Sequence, residues 1–195
     1  MMQTDKKTWD DFRNGMSYAL SHIYYQHVHI LFSYGKKFSK DDEIIKDTIQ
    51  DLFFDLIRTR QKLNETDNIK FYLFRAFRRK LIKNIEKQKL SIDFHLTYKA
   101  EEETISSAEK DIIDDEELTT REKIVQEALA TLSKKQREIL YYRFNCNFEY
   151  EQICEIMSLK YDSARKQVFR ALKALKATLP DSITFLLFLS LISKM

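Results

Sequence analysis

The residues best suited to act on another molecule fall into three clusters. Over Lys70–Lys89 stand eight cations, Lys70, Arg75, Arg78, Arg79, Lys80, Lys83, Lys87 and Lys89, against one acid, Glu86. Phe71, Tyr72, Phe74 and Phe77 are set among them. Cations neutralise phosphates, and rings stack on unpaired bases. The plainer reading makes the rings core and the cations solvated. For any single ring, core packing is the commoner outcome. For the segment as a whole, this local charge is a strong field to carry without a polyanionic partner.

A second cluster, Arg165, Lys166, Gln167, Arg170 and Lys173, alternates with apolar residues at helical spacing. Arg165 and Gln167 carry donors for base edges, and Lys166, Arg170 and Lys173 suit phosphates equally well. The third cluster is acidic. Asp47, Asp51 and Asp55 lie one helical turn apart, beside Gln50, Phe54 and Arg58. Such a stripe is usually a solvated face, and its like charges repel mildly. An aromatic, Phe54, within that polar face favours a docking surface for a protein.

Little else is equipped for chemistry. His27 and His29 are two residues apart, so on a helix they point in different directions and cannot share an ion easily. His22 stands alone, and His95 falls in an acidic stretch. A metal-dependent helical enzyme is therefore a poor reading. No catalytic residues, metal site, cofactor or small-molecule substrate are expected. Cys146 and Cys154 form no CxxC pair, which fits a reduced, intracellular setting. No apolar run follows Met1–Lys7, so no secretory signal is expected and the location is read as cytoplasmic.

The elements that carry these clusters follow from composition and periodicity. Gly15, Gly35 and Pro180 are the only glycines and proline. Sheets and hairpins normally need more turn residues. The expectation is an all-α chain of two small helical domains joined by an acidic linker, the second containing a helix-turn-helix. Residues 8–38 read as one or two helices, with Gly35 a candidate break. Acids at 41–43 open the strongest helix, over 43–60, with stripes Ile44, Thr48, Leu52, Leu56 and Ile45, Ile49, Phe53, Ile57. A polar loop spans 61–69, and the basic-aromatic helix runs from Lys70 to about Lys89.

Charge marks the boundaries. Residues 1–90 carry a net +6, residues 91–122 a net −8 and residues 123–179 a net +5. The domains are thus read as 1–90 and 121–179, with a linker over 91–120 and a patch of helix near 107–118. Ser133 is a good N-cap for a helix that ends near Asn145–Asn147. Two helices follow, about 150–157 and 162–179. Ile153, Ile156 and Met157 face inward on the first. Ala164, Val168, Leu172 and Leu175 do so on the second, which turns Arg165, Lys166, Gln167 and Arg170 outward as a recognition helix must.

Residues 130–177, from Ala-Thr-Leu-Ser-Lys-Lys-Gln-Arg through Glu-Tyr-Glu-Gln-Ile-Cys-Glu-Ile-Met to Arg-Ala-Leu-Lys-Ala-Leu-Lys, resemble region 4 of bacterial sigma factors. The likeness is to the extracytoplasmic-function (ECF) group of the sigma-70 family. Asp47–Ile57 resembles region 2 of the same group. The resemblance spans roughly 12–90 and 121–179, with no region 3 between. It implies an alternative sigma factor that binds core RNA polymerase and promoter DNA and does no bond chemistry. Asp47, Gln50, Asp51 and Phe54 then look like the surface for the polymerase clamp helices. Asn64, Lys70, Tyr72, Arg75, Arg78, Arg79 and Lys83 look like the grip on the opened −10 element. Arg165, Lys166, Gln167, Arg170 and Lys173 look like the reader of duplex −35 DNA. The group also implies an anti-sigma factor, often membrane-bound. The family pattern often has Pro at Ser133 and Gly at Asn147 and Ser158, and an aromatic is common at Ile57.

The rival reading is a stand-alone helix-turn-helix regulator, which has no use for the acidic-faced 43–60 helix. The apolar run 183–193, after Pro180, is too short to span a bilayer. It is expected to fold back on the second domain, ahead of binding a partner or resting on a membrane surface.

Overall fold

Glycine and proline are as scarce as an all-α chain requires, and the computed structural model is all-α. It describes residues 4–97 and 120–179, with side chains over 4–88 and 123–179. The expected helix near 107–118 and the apolar run 183–193 lie outside the described residues. The chain divides into two compact units, over residues 1–103 and 104–195.

The first unit holds α1 (Asp5–Arg13), α2 (Ser17–Gly35), α3 (Asp42–Thr59) and α4 (Ile69–Thr97), with a 3-10 turn at Arg60–Lys62. The run expected over 8–38 is two helices, parted at Gly15, whose φ of 87° is left-handed. Gly35 closes α2 and has a packing role as well. A Cβ there would lie 2.6 Å from Cγ2 of Ile45, so only glycine lets α2 come this near α3. Asp41 caps α3 by accepting from the amides of Glu43 at 3.0 Å and Ile44 at 3.3 Å. A hydrogen bond from Gln88, then the Ile44 amide, holds its carboxyl below the usual range. Helix α4 runs on to Thr97 rather than stopping near Lys89, since no glycine or proline interrupts it.

The core of this unit is rich in rings. Trp9, Phe12, Tyr34, Phe74 and Phe77 are buried among Ile23, Leu31, Ile45, Leu52 and Leu73. The Tyr34 ring lies 5.0 Å from that of Phe74. Each such side chain contributes about 2–3 kcal/mol by leaving water. Three polar ties then fix α3 against α4 in antiparallel register. Gln88 donates to Asp41 at 3.1 Å, Asn84 to Thr48 at 3.0 Å, and Lys80 to Asp55 at 2.6 Å.

The second unit holds α5 (Thr120–Ala130), α6 (Lys134–Leu140), α7 (Tyr150–Met157) and α8 (Tyr161–Thr178), with a π-helical turn at Tyr141–Asn145. Ser133 caps α6 as expected, in a reciprocal pair with Gln136. Glu149 and Gln152 repeat the arrangement on α7. The buried core includes Leu132, Ile139, Tyr142, Phe148, Ile153, Ile156 and Val168. The Tyr142 hydroxyl donates to the buried Glu138 carboxylate at 3.0 Å.

Asn147 and Ser158 both adopt positive φ, 57° and 54°. These are the turn positions where the family pattern has glycine. Serine tolerates this region less well than glycine, because its Cβ crowds the backbone. Ser158→Gly is therefore expected to stabilise the second unit by about 0.5–1 kcal/mol, the relief of strain exceeding the added freedom of the unfolded chain. A thermal melt that shows no rise in Tm would refute this.

Candidate nucleic-acid interface and docking face

On α3 the acidic stripe divides in two. Asp55 is committed to structure: Lys80 sits 2.6 Å away and Arg58 2.9 Å away. The Lys80 ammonium holds its carboxyl below the usual range. Asp47 and Asp51 are exposed, and among the described residues neither makes a hydrogen bond or an ion pair. Gln50 is exposed beside them, and Phe54 is 64% exposed. The four residues expected to dock a protein thus share one open face.

That face borders a groove between α2 and α3 of about 780 Å³, lined by Tyr24, Tyr25, Phe32, Gln50, Phe53 and Phe54 among others. Tyr25 is 74% exposed and Tyr24 lies edge-on to Phe53, with centroids 5.0 Å apart. Neither tyrosine was singled out in the sequence. The adjacent pair was the available signal, since two neighbouring rings cannot both face one side of a helix.

On α4, Arg75, Arg79, Lys83 and Lys87 are exposed at one-turn steps. Lys70 and Arg78 are half-buried, and Lys80 is held by Asp55. The rings take the core role: Phe74 and Phe77 are fully buried. Phe71 and Tyr72 are half-buried. Burial pushes the Tyr72 hydroxyl pKa up, against the charges of Arg79 and Arg75. Asn64 is exposed in the loop before α4, and its carbonyl accepts from Trp9 Nε1 at 2.8 Å. Trp9 did not stand out in the sequence.

Helices α7 and α8 make the helix-turn-helix. Ile153 and Ile156 are buried on the first, with Met157 half-buried. On α8 the buried residues are Ala164, Val168 and Ala171, while Leu172 and Leu175 are half-buried. Arg165, Lys166, Arg170 and Lys173 are exposed, and Gln167 is half-buried. The Arg165 guanidinium stands 6.0 Å from the centre of the Tyr161 ring. Phe169, also missed, is 68% exposed among these cations. Rings of this kind meet thymine methyls in the major groove. Phe169→Ala is expected to weaken duplex binding by about 1 kcal/mol with the salt dependence unchanged, since no charge is removed. A changed salt slope in a binding titration would contradict that.

His27 is buried, its Nδ1 donating to the Ile23 carbonyl at 2.9 Å, and burial lowers its pKa. Among the described residues no group of three His, Cys, Asp or Glu side chains is placed to hold a metal ion. No helix among them is long and apolar enough to cross a membrane.

Residues 23–90 match the family model for sigma-70 region 2, and residues 122–175 match that for sigma-70 region 4. Together they take in well over half of the chain. The chain belongs to the sigma-70 family. It is an alternative sigma factor, binding core RNA polymerase and directing promoter recognition, and region 2 followed by region 4 is the arrangement of the ECF group. The reading as a stand-alone helix-turn-helix regulator is not favoured, because region 2 is matched as well as region 4. No curated protein sequence matches this sigma factor. The solved structures that share its fold include two complexes. One, of CnrH in complex with the cytosolic domain of CnrY, has a TM-score of 0.58 at 14% identity, covering 90% of this chain and 96% of that one. The other is sigma factor RpoE in complex with the anti-sigma factor NepR from Bartonella quintana. Its TM-score is 0.54 at 18% identity, covering 87% of this chain and 96% of that one.

Proposed function

We propose that this sigma factor divides its work among three surfaces. Asp47, Gln50, Asp51 and Phe54 dock on the polymerase. Asn64, Lys70, Tyr72, Arg75, Arg78, Arg79 and Lys83 engage the opened −10 element. Arg165, Lys166, Gln167, Arg170 and Lys173 read duplex −35 DNA, with Phe169 added to that set. The observation that carries this division is the open acidic face of α3 around a largely exposed Phe54. A negative face is repelled by DNA and suits a protein. The cationic faces of α4 and α8 have the opposite character.

Such a chain performs no bond chemistry of its own and works in the cytoplasm, where the polymerase is. An anti-sigma factor is the expected regulator, in keeping with the NepR complex of RpoE. The test is reconstitution. The purified chain should co-elute with core polymerase, and the mixture should start transcripts at specific genomic promoters. A folded chain that neither binds core nor supports initiation would overturn the division, leaving the α3 face to another protein.

A further inference from the structure

Helix α1 precedes the first residue matched by the region 2 model. It carries three side chains one turn apart on one face, Asp5, Trp9 and Arg13, and all three reach the segment 64–69. Asp5 Oδ2 accepts from the Ile69 amide at 3.0 Å. Trp9 Nε1 donates to the Asn64 carbonyl at 2.8 Å. Arg13 Nη1 lies 3.9 Å from Glu65 Oε1. The indole is fully buried, and its ring centre is 4.8 Å from that of Tyr72.

These bonds act at both ends of the loop. Ile69 begins α4, and its N–H is one of the amides a helix cannot satisfy from within. Asp5 caps it from another helix, while Asn68 Oδ1 accepts from the Phe71 amide at 2.8 Å. At the other end the indole fixes the Asn64 carbonyl, and with it the path of the backbone into the loop. Between them the loop's own tie is the Thr66 hydroxyl, which accepts from the Asn68 amide at 3.1 Å and donates to the Asn68 carbonyl at 3.3 Å. A polar loop with so few internal bonds takes its geometry from what grips its ends.

We propose that α1 is a brace that presents Asn64–Ile69 and the first turn of α4 to the promoter strand, with Trp9 as its positioning residue. This rests on reading Asn64 and the α4 cations as the −10 surface. Precision at a recognition site comes from supporting groups whose own place is locked. Trp9 meets that need with bulk against Phe12 and Tyr72 and with one N–H for a carbonyl at the rim of the site. Phenylalanine keeps an aromatic ring against Phe12 and Tyr72, loses part of the bulk and gives up the N–H.

The test loads core polymerase with the full chain as wild type, Trp9→Phe, Asp5→Ala or Asn64→Ala. Open-complex formation is followed on a promoter the holoenzyme uses, intact and with an abasic site at each −10 position in turn. Amide exchange over 63–70 is followed in the same chains without DNA. Trp9→Phe and Asp5→Ala are expected to bind core as the wild type does, to exchange faster over 64–69, and to form open complexes about tenfold more slowly. The abasic site that cripples the wild type should add nothing further to Trp9→Phe. A merely structural role does not produce that loss of base sensitivity. If Trp9→Phe melts early, Asp5→Ala decides, since it leaves the core intact. Wild-type rates with full abasic sensitivity in both variants overturn the brace. Wild-type behaviour of Asn64→Ala and of every abasic template shows instead that the −10 reading of the loop has failed, and the brace falls with it.

Discussion

Replacing Asp51 and Phe54 together with alanine is expected to lower affinity for core polymerase by about 100-fold, the loss typical of a buried aromatic anchor and its neighbouring charge. Binding of −35 duplex DNA should be unchanged. Phe54 is 64% exposed on a helix whose one other ring, Phe53, is buried, so its removal opens no cavity. Asp51 is exposed and ties no element to another. The melting curve of the first unit should therefore barely move. Asp55 is the control, because it is one turn further along the same stripe and is bonded to Lys80. Asp55→Ala should cost some stability by removing one of the three polar ties between α3 and α4, and should weaken polymerase binding only in proportion to the unfolded fraction. Co-elution with core polymerase and thermal melts, run on the same three proteins, separate these outcomes. A chain lacking Asp51 and Phe54 that still binds core as the wild type does would remove the α3 face from the docking surface.

The second large effect belongs to α8. Replacing Arg165 and Arg170 with alanine is expected to weaken −35 duplex binding by about 100-fold at physiological salt, since each guanidinium on a base edge or phosphate contributes ~1–3 kcal/mol. The slope of log affinity against log salt should flatten by about one for each phosphate left without its cation. Both side chains are exposed, so fold and polymerase binding should persist. The two double variants thus predict opposite defects. If each damaged both activities equally, the division of labour would be wrong.

Much of this was legible without coordinates. An apolar repeat near 3.6 with almost no glycine or proline leaves a chain few options besides packed helices. The helix starts were legible because they are local: the acids at 41–43 and the Ser133 cap depend on residues within four positions. The outward cations of α8 follow from the phase set by Ala164 and Val168. The phase erred where a small residue could serve as well as a large one. Ala171, not Leu172, took the fully buried place, because close helix packing favours alanine where backbones approach.

Residue order alone specifies an all-α chain, two helical regions of family-specific pattern, and the three charged or aromatic faces. These are properties of neighbours along the chain, and helical periodicity turns them directly into surfaces. Helix packing selects which members of each set are available. Asp55 looked like Asp51 until Lys80, twenty-five residues away, was seen to hold it. Phe74 looked like Tyr72 until one was fully buried and the other lay against Trp9. Trp9 carried no signal in the sequence, and its role appears only where its N–H meets the Asn64 carbonyl, fifty-five residues on. Pairings at such separations depend on how whole helices pack, and no local spacing encodes them.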